Sequence, residues 1–182
     1  MIRYYFLLVI AIVLAYLLLQ GNQMSRGSEL PIFMRVDQIA LDHQTKVQVT
    51  NHARYKPESA QLVQLKNDYS NLWAHLNHLY ATNDINSGKE YYTEAWFRQM
   101  ASHYGGTIRP AITRTDTQHE LHIKNWASDG LVYTAIDSCV VLQYHYPDGG
   151  IKTSKINLAL VMLFEGDHWR IDAMKLLPDP IE

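Results

Sequence analysis

The C-terminal half of the chain is divided into strand-like segments by closely spaced turn signals. Asp129-Gly130 and Asp148-Gly149 are favoured in hairpin turns, because glycine and aspartate tolerate the positive backbone angles that such turns require, and Gly166-Asp167 serves similarly. The segments between these signals are 115–126, 131–146, 151–164 and 168–177. Four strands joined by three tight turns predict an antiparallel meander. Strands of this length are expected to curl, so other elements must cover one face of the sheet.

Two helices are predicted upstream of these strands. Pro57 and Ser59 mark the start of the first, in which leucine and tyrosine recur at alternating intervals of three and four residues. This stripe comprises Leu62, Leu65, Tyr69, Leu72, Leu76 and Leu79. It predicts packing against the sheet, with a coiled-coil contact as the alternative. The second helix is predicted at about 91–104. The chain is therefore predicted to be an α+β protein whose helices pack on a curved antiparallel sheet.

The N-terminus is a run of apolar residues. Every residue from 4 to 19 is apolar or aromatic, and with Ile2 the run reaches the roughly 17 residues needed to span a hydrocarbon core. We interpret residues 1–20 as an uncleaved transmembrane anchor that meets the bilayer through residues 2–19, with a cleaved signal peptide as the alternative. Translocation of the remainder is the expected outcome. This predicts a single-pass protein of a bacterial inner membrane with a periplasmic C-terminal domain.

Residues 21–56 are predicted to form a linker or stalk between the anchor and a domain at 57–182. Residues 20–28 are polar and contain glycine, which is typical of a flexible connection. Residues 36–49 mix sparse apolar residues with polar ones. That stretch is compatible with an edge strand, a short helix or an extended stalk.

Composition limits the possible partners. The net charge of −2 leaves little for the electrostatic attraction that drives nucleic-acid binding, so a nucleic-acid partner is not expected. The single cysteine, Cys139, excludes an intramolecular disulfide. It lies within an apolar run and is expected to be a core thiol, because a free cysteine packs as a small hydrophobic residue.

A closing pattern in the last strand connects the chain to a known superfamily. Residues 164–171 read Phe-Glu-Gly-Asp-His-Trp-Arg-Ile, and residues 91–97 read Tyr-Tyr-Thr-Glu-Ala-Trp-Phe. With helices preceding long strands, this resembles the nuclear transport factor 2-like superfamily of cone-shaped α+β domains over about residues 57–177. The resemblance implies that Trp169 and Ile171 pack into the core. An N-terminal span followed by one such domain is similar to the inner-membrane assembly subunits of type IV secretion and conjugation machines, which are scaffolds.

The resemblance also directs attention to side chains inside the cone. Other members of the superfamily are isomerases, cyclases and dehydratases that use Asp, His or Tyr there. Asp137 interrupts an apolar strand, and Tyr133 lies four residues earlier on the same face. A buried Asp137 could act as a base, whereas on the outer face it would be solvated or paired with a neighbour. We favour the outer face and assign no catalytic residue. Asp137 and Tyr133 are only candidates for that role.

Histidine spacing argues against a metal centre. His119 and His122 are three residues apart in a predicted strand, so they are expected to point to opposite faces. His75 and His78 share one side of the first helix but have no third ligand nearby in the sequence. We interpret them as surface histidines and predict neither a metal nor a cofactor.

Three hypotheses about function follow. We favour a non-enzymatic, membrane-anchored assembly or protein-interaction subunit of a bacterial cell-envelope complex, such as secretion or conjugation machinery. Its partners would be other membrane or envelope proteins, with homo-oligomerisation as an open alternative. The second hypothesis is a small-molecule-binding or catalytic cone with an aromatic pocket, in which Asp137 faces an open cavity beside another polar group. The third is a small partner-binding protein, for example a toxin-neutralising one, with a single dimeric interface.

Overall fold

The computed structural model describes residues 37–104 and 112–178, which form an α+β unit with a curved five-stranded sheet. The strands are β1 (Lys46–Asn51), β2 (Thr113–Trp126), β3 (Val132–His145), β4 (Ile151–Glu165) and β5 (His168–Leu177). The helices are α1 (Ser59–Thr82) and α2 (Glu94–Tyr104), separated by a 3-10 turn at Asn86–Tyr91. The strands follow the order β1-β2-β3-β4-β5.

The predicted meander is confirmed. The pairs β2–β3, β3–β4 and β4–β5 are antiparallel, and the ends of these four strands agree with the prediction to within two residues. The turns use the expected glycines, since Gly130, Gly149 and Gly166 adopt φ angles of 74°, 84° and 71°. Local turn chemistry therefore sets the boundaries of the sheet.

Strand β1 lies within the segment expected as linker or stalk. It pairs parallel with β2, so the edge-strand alternative applies to this part of the segment. Its odd-numbered residues Val47 and Val49 pack against the core, while its even-numbered residues are exposed. The described fold therefore includes residues upstream of residue 57, from Asp37 onwards.

Helix α1 packs on the sheet with its apolar stripe, as predicted. Gln61 accepts a hydrogen bond from the backbone N–H of Glu58 at 2.8 Å, which satisfies one donor at the helix start. Asn83 ends the helix in the left-handed conformation, with a φ of 64°. Leu65, Tyr69 and Leu72 have no exposed surface. The predicted packing of the stripe against the sheet is thus confirmed, and the coiled-coil alternative does not apply.

The second helix begins three residues later than predicted. The hydroxyl of Thr93 accepts a hydrogen bond from the N–H of Trp96 at 3.2 Å, as a helix cap does. The N–H of Thr93 donates to the carbonyl of Ile171 at 3.0 Å, and Tyr92 bridges to the same residue. This pairing with β5 holds residues 92 and 93 extended and delays the helix.

Aromatic side chains fill the space between the helices and the sheet. Trp126 stacks on Tyr133 with ring centroids 5.7 Å apart, and Tyr133 meets the ring of Trp169 edge-on at 4.8 Å. Trp169 is 2% exposed and Ile171 is fully buried, as the resemblance implied. The core is therefore a packed aromatic cluster.

Within the described residues no helix is long and apolar enough to cross a membrane. The predicted anchor at 1–20 lies outside the described residues, as do residues 21–36 of the predicted linker.

Candidate functional site

The interior of the domain holds a histidine between two carboxylates. His119 lies in β2 and has no exposed surface. Its Nδ1 atom is 2.7 Å from Oδ2 of Asp137, and its Nε2 atom is 3.0 Å from Oδ2 of Asp116. An imidazole donates from both nitrogens only when it is protonated, whereas an ionised carboxylate only accepts. The geometry therefore favours a positively charged His119. We call Asp116, His119 and Asp137 the buried trio.

The electrostatics of the buried trio support this assignment. Burial disfavours the charged form of His119, but hydrogen bonds and charges from Asp116 and Asp137 outweigh burial and raise the pKa of His119 above its usual value. Burial also opposes ionisation of Asp116. Hydrogen bonds with His119 and His43 dominate, and they hold the pKa of Asp116 well below its usual range. His119 and Asp116 therefore form an ion pair inside the protein.

Asp137 lies directly before a bulge in β3 and is held by several hydrogen bonds. The pairing of β3 with β4 shifts after Asp137, where Cys139 adopts a φ of 63° and donates its N–H to Oδ1 of Asn157 at 3.0 Å. Oδ1 of Asp137 accepts the backbone N–H of Glu120 at 3.0 Å. Its Oδ2 accepts the hydroxyl of Tyr69 at 2.5 Å, in addition to the bond from His119. Both oxygens of Asp137 are thus occupied by donors within the protein.

The favoured sequence interpretation of Asp137 is wrong, because this residue has no exposed surface and points inward. It does share a face with Tyr133, as predicted. The Tyr133 hydroxyl, however, has no hydrogen-bond partner among the described residues, and its ring belongs to the aromatic cluster. Burial, followed by the charges of Asp68 and Asp137, raises the pKa of Tyr133 well above its usual value. The two candidates therefore do not form a cooperating polar pair.

Cys139, expected to be a core thiol, is partly exposed. It occupies the bulge, where the side-chain alternation of β3 is interrupted. The apolar residues around Cys139 in the sequence predicted burial, but they do not reveal the bulge.

Asp116 connects the buried trio to the surface. Its Oδ1 accepts a hydrogen bond from Nδ2 of Asn77 and lies 2.8 Å from Nε2 of His43. Oδ1 of Asn77 in turn accepts from Nε of Arg114 at 2.8 Å, and the Arg114 guanidinium lies 5.0 Å from the ring centre of Tyr80. The chain of hydrogen bonds therefore ends at partly exposed groups.

A cavity of about 670 Å³ lies beside this end of the hydrogen-bonded chain. It is lined by the segment 38–44, by helix α1 and by the start of β2, including Asp116. His119 and Asp137 do not line it. Asp116 is therefore the member of the buried trio that reaches this cavity.

A second cluster of polar groups fastens the segment before β1 to α1. Nε2 of His75 is 2.9 Å from Oδ2 of Asp37, which also accepts the hydroxyl of Tyr91 at 3.2 Å. Burial opposes ionisation of Asp37, but His75 outweighs it and lowers the pKa of Asp37. His75 is 3% exposed, so its interpretation as a surface histidine is wrong. The segment before β1 also contacts α1 through His43, whose Nδ1 lies 3.2 Å from Oγ of Ser70. His78 remains partly exposed.

Asp68 connects α1 to the start of β5. Its Oδ2 accepts the backbone N–H of Trp169 at 2.9 Å, and its Oδ1 lies 3.2 Å from Nδ1 of His168. The hydrogen bond to Asp68 is the main reason that the pKa of His168 is raised above its usual value. This contact ties the final strand to the helix layer.

The prediction that His119 and His122 point to opposite faces is confirmed, since His122 contacts Ser138 on the face away from the helices. Sequence reasoning missed Asp116, which lies three residues before His119 and would face away from it in a regular strand. The pairing of β2 with β3 shifts on both sides of Gln118, so Asp116 and His119 both turn inward. Only the paired strands reveal this irregularity.

The chemistry available to the buried trio is limited by its partners. The trio can hold a buried charge and exchange protons along its hydrogen bonds. Within residues 37–104 and 112–178, no group of three or more His, Cys, Asp or Glu side chains is arranged to hold a metal.

Comparison with known proteins finds similarity only among solved structures. No family model matches the chain, and no curated protein matches it. Among solved structures, the intermembrane space region of the chloroplast protein ARC6 aligns at a TM-score of 0.49 with 11% identity, covering 67% of this chain and 98% of that one. Aln2 from a Streptomyces species gives 0.49 with 10% identity, covering 69% and 95% respectively. The association domain of C. elegans CaMKII gives 0.44 with 10% identity, covering 63% and 95%.

Proposed function

We propose that this chain is a membrane-anchored, non-enzymatic interaction subunit of a bacterial cell-envelope complex, with secretion or conjugation machinery as the class of complex. Its nuclear transport factor 2-like domain would face the periplasm and contact other envelope proteins. The apolar run at 4–19 supports the anchor, and the sequence pattern at 164–171 together with the helix-on-sheet architecture supports the superfamily.

The observation that carries this proposal is that the carboxylates inside the domain are already occupied by donors of the same chain. Both oxygens of Asp137 and both oxygens of Asp116 are occupied by donors of the same chain. The space that would hold a substrate in an open cone is filled by aromatic side chains, including Trp73, Trp126 and Trp169. A catalytic carboxylate needs access to a reacting atom, which Asp137 lacks. The buried carboxylates of the domain therefore fit a structural role, in which they stabilise one arrangement of the strands and the helix.

The outer face of the sheet offers a surface for a partner protein. A groove of about 320 Å³ crosses β3, β4 and β5, with the partly exposed side chains of Ile136 and Val161 in its lining. Lys124 and Lys175 are exposed and also line it. An apolar groove with lysines fits a partner segment that combines apolar side chains with acidic ones.

The proposal predicts that a charge placed in this groove abolishes partner capture. We would purify tagged full-length chain from bacterial membranes in mild detergent and compare it with Ile136→Lys and Val161→Lys. Both substitutions should remove the co-purifying envelope proteins without unfolding the domain, because they place a charge on an apolar contact surface. Circular dichroism melting would verify the fold.

The matched control is Ile151→Lys, because Ile151 is the first residue of β4 and is 63% exposed. It should capture partners like the parent chain. Equal capture by the parent and both groove variants would contradict the proposed surface. Absence of any envelope partner from the parent preparation would contradict the proposed function.

The cavity beside Asp116 favours a second candidate, a small-molecule-binding or catalytic domain. In that case the buried trio would set the charge of Asp116 at the cavity wall. His78→Ala and Gln44→Ala alter the same wall without touching the trio. Loss of biological activity in these variants, with partner capture intact, would favour the second candidate.

A further inference from the structure

Two histidines meet at the parallel edge of the sheet. His52 follows β1 and is exposed, and its backbone N–H donates to the carbonyl of Ile123 at 2.9 Å. His122 lies in β2 and is partly exposed. Nε2 of His52 is 3.3 Å from Nδ1 of His122. Strand pairing fixes both backbones, so this approach of two imidazoles is built into the sheet.

The separation of the two nitrogens suits a shared metal ion. Zinc binds histidine nitrogens at about 2.0–2.1 Å in tetrahedral geometry, which places two ligand nitrogens of one ion about 3.3 Å apart. His52 and His122 reproduce this spacing. The two nitrogens share a hydrogen bond without a metal, and the exposed His52 ring is free to turn so that an ion replaces the proton between them.

Ser138 prepares His122 to act as a ligand. The Ser138 hydroxyl donates to the carbonyl of Glu120 at 3.4 Å, so its oxygen is left to accept from Nε2 of His122 at 3.0 Å. A proton on Nε2 leaves the lone pair of Nδ1 directed at His52. Metal-binding histidines are commonly held in this way by a hydrogen bond from the other ring nitrogen.

We propose that His52 and His122 bind Zn²⁺ or a similar divalent transition-metal ion at this edge of the sheet. Imidazole ligands select zinc, copper and nickel over magnesium, which prefers oxygen. Among the described residues no third His, Cys, Asp or Glu completes the set, so water fills the remaining positions. The site lies on the opposite face of β2 from the buried trio and is independent of the proposed function.

The test is a calorimetric titration of Zn²⁺ into the full 182-residue chain in mild detergent. We expect one ion per chain, and at least about tenfold weaker binding in both His52→Ala and His122→Ala, since each removes a ligand. Ser138→Ala should weaken binding by about tenfold, the lower end of the usual effect of an orienting partner. Zn²⁺ should also raise the melting temperature of the parent and not of the two histidine variants.

His145→Ala is the control. His145 is a partly exposed strand histidine whose ring contacts Thr115, away from His52 and His122. It should bind Zn²⁺ like the parent, and Mg²⁺ should not compete. Unchanged Zn²⁺ affinity in His52→Ala and His122→Ala would overturn the proposal, as would an equal loss in His145→Ala.

Discussion

His119 illustrates how a single residue can organise a domain interior. Its ring lies 4.7 Å from that of Trp73 and 5.4 Å from that of Tyr69, while its nitrogens bind Asp116 and Asp137. A buried ion pair adds little net stability over apolar packing, but removing one partner leaves an uncompensated charge and typically costs about 3–5 kcal/mol. The buried trio therefore contributes mainly by fixing one arrangement of β2, β3 and α1.

The pKa shifts predict how stability depends on pH. The pKa values of His119 and His168 are raised, so their contribution is complete below the unfolded value of about 6.5 and is lost as pH rises through the folded values. The pKa values of Asp37 and Asp116 are lowered. Their contribution to stability is therefore present above the unfolded pKa of about 3.9 and is lost as pH falls through the folded values. We expect the melting temperature to be highest between about pH 4 and 6.5 and to decrease above it.

Thermal melting of the full chain between pH 4 and 9 tests this expectation, with His119→Gln as the comparison. The variant should be less stable, and its decline above pH 6.5 should be shallower, because one of the titrating groups is gone. A parent melting temperature that stays constant or increases from pH 6.5 to 9 would contradict a charged His119.

Among the elements, the 3-10 turn between the helices depends most visibly on one small side chain. A Cβ atom added to Gly88 would lie 2.3 Å from Cζ of Tyr92, a residue that is 2% exposed and belongs to the packed core. We expect Gly88→Ala to lower the free energy of unfolding by about 1–3 kcal/mol, the usual cost of overpacking. Denaturant unfolding checks the value.

Asn86→Ala is the control for that substitution. Asn86 lies in the same turn with an exposed side chain, so its replacement should change stability by less than about 0.5 kcal/mol. Equal stability of Gly88→Ala and the parent would mean that the Tyr92 ring is free to move and does not anchor the turn.

For the molecule as a whole, the start of the folded unit decides which truncations survive. Asp37 and His43 hold α1 and β2 through His75 and Asp116, and β1 extends the sheet. We expect residues 37–182 to fold alone. Residues 57–182 lack these contacts and should be less stable by about 3 kcal/mol, or roughly 10 °C in melting temperature.

Circular dichroism melting of the two fragments under the same conditions provides the measurement. Equal melting temperatures would mean that the segment before residue 57 is dispensable and that the domain starts where the first helix was predicted. An unfolded 37–182 fragment would show that residues upstream of Asp37 are needed for folding.

The sequence by itself determined the antiparallel meander, its three turns and the stripe of α1. These features arise from local patterns, because turn glycines and side-chain periodicity act between residues close in the chain. Asp129-Gly130 predicted its turn without reference to any distant residue. The closing Trp169 and Ile171 were also expected in the core, and both are buried.

Only the tertiary structure decided where the polar groups lie. Shifts in strand pairing around Gln118 turned Asp116 towards the same histidine as Asp137, against the alternation that a regular strand follows. Asp137 keeps the alternation of Tyr133, and only its burial was not foreseen. The contacts of His75 and His52 depend on residues 38 and 70 positions away. Such contacts depend on how strands and helices pack against each other, and local periodicity carries no record of that packing.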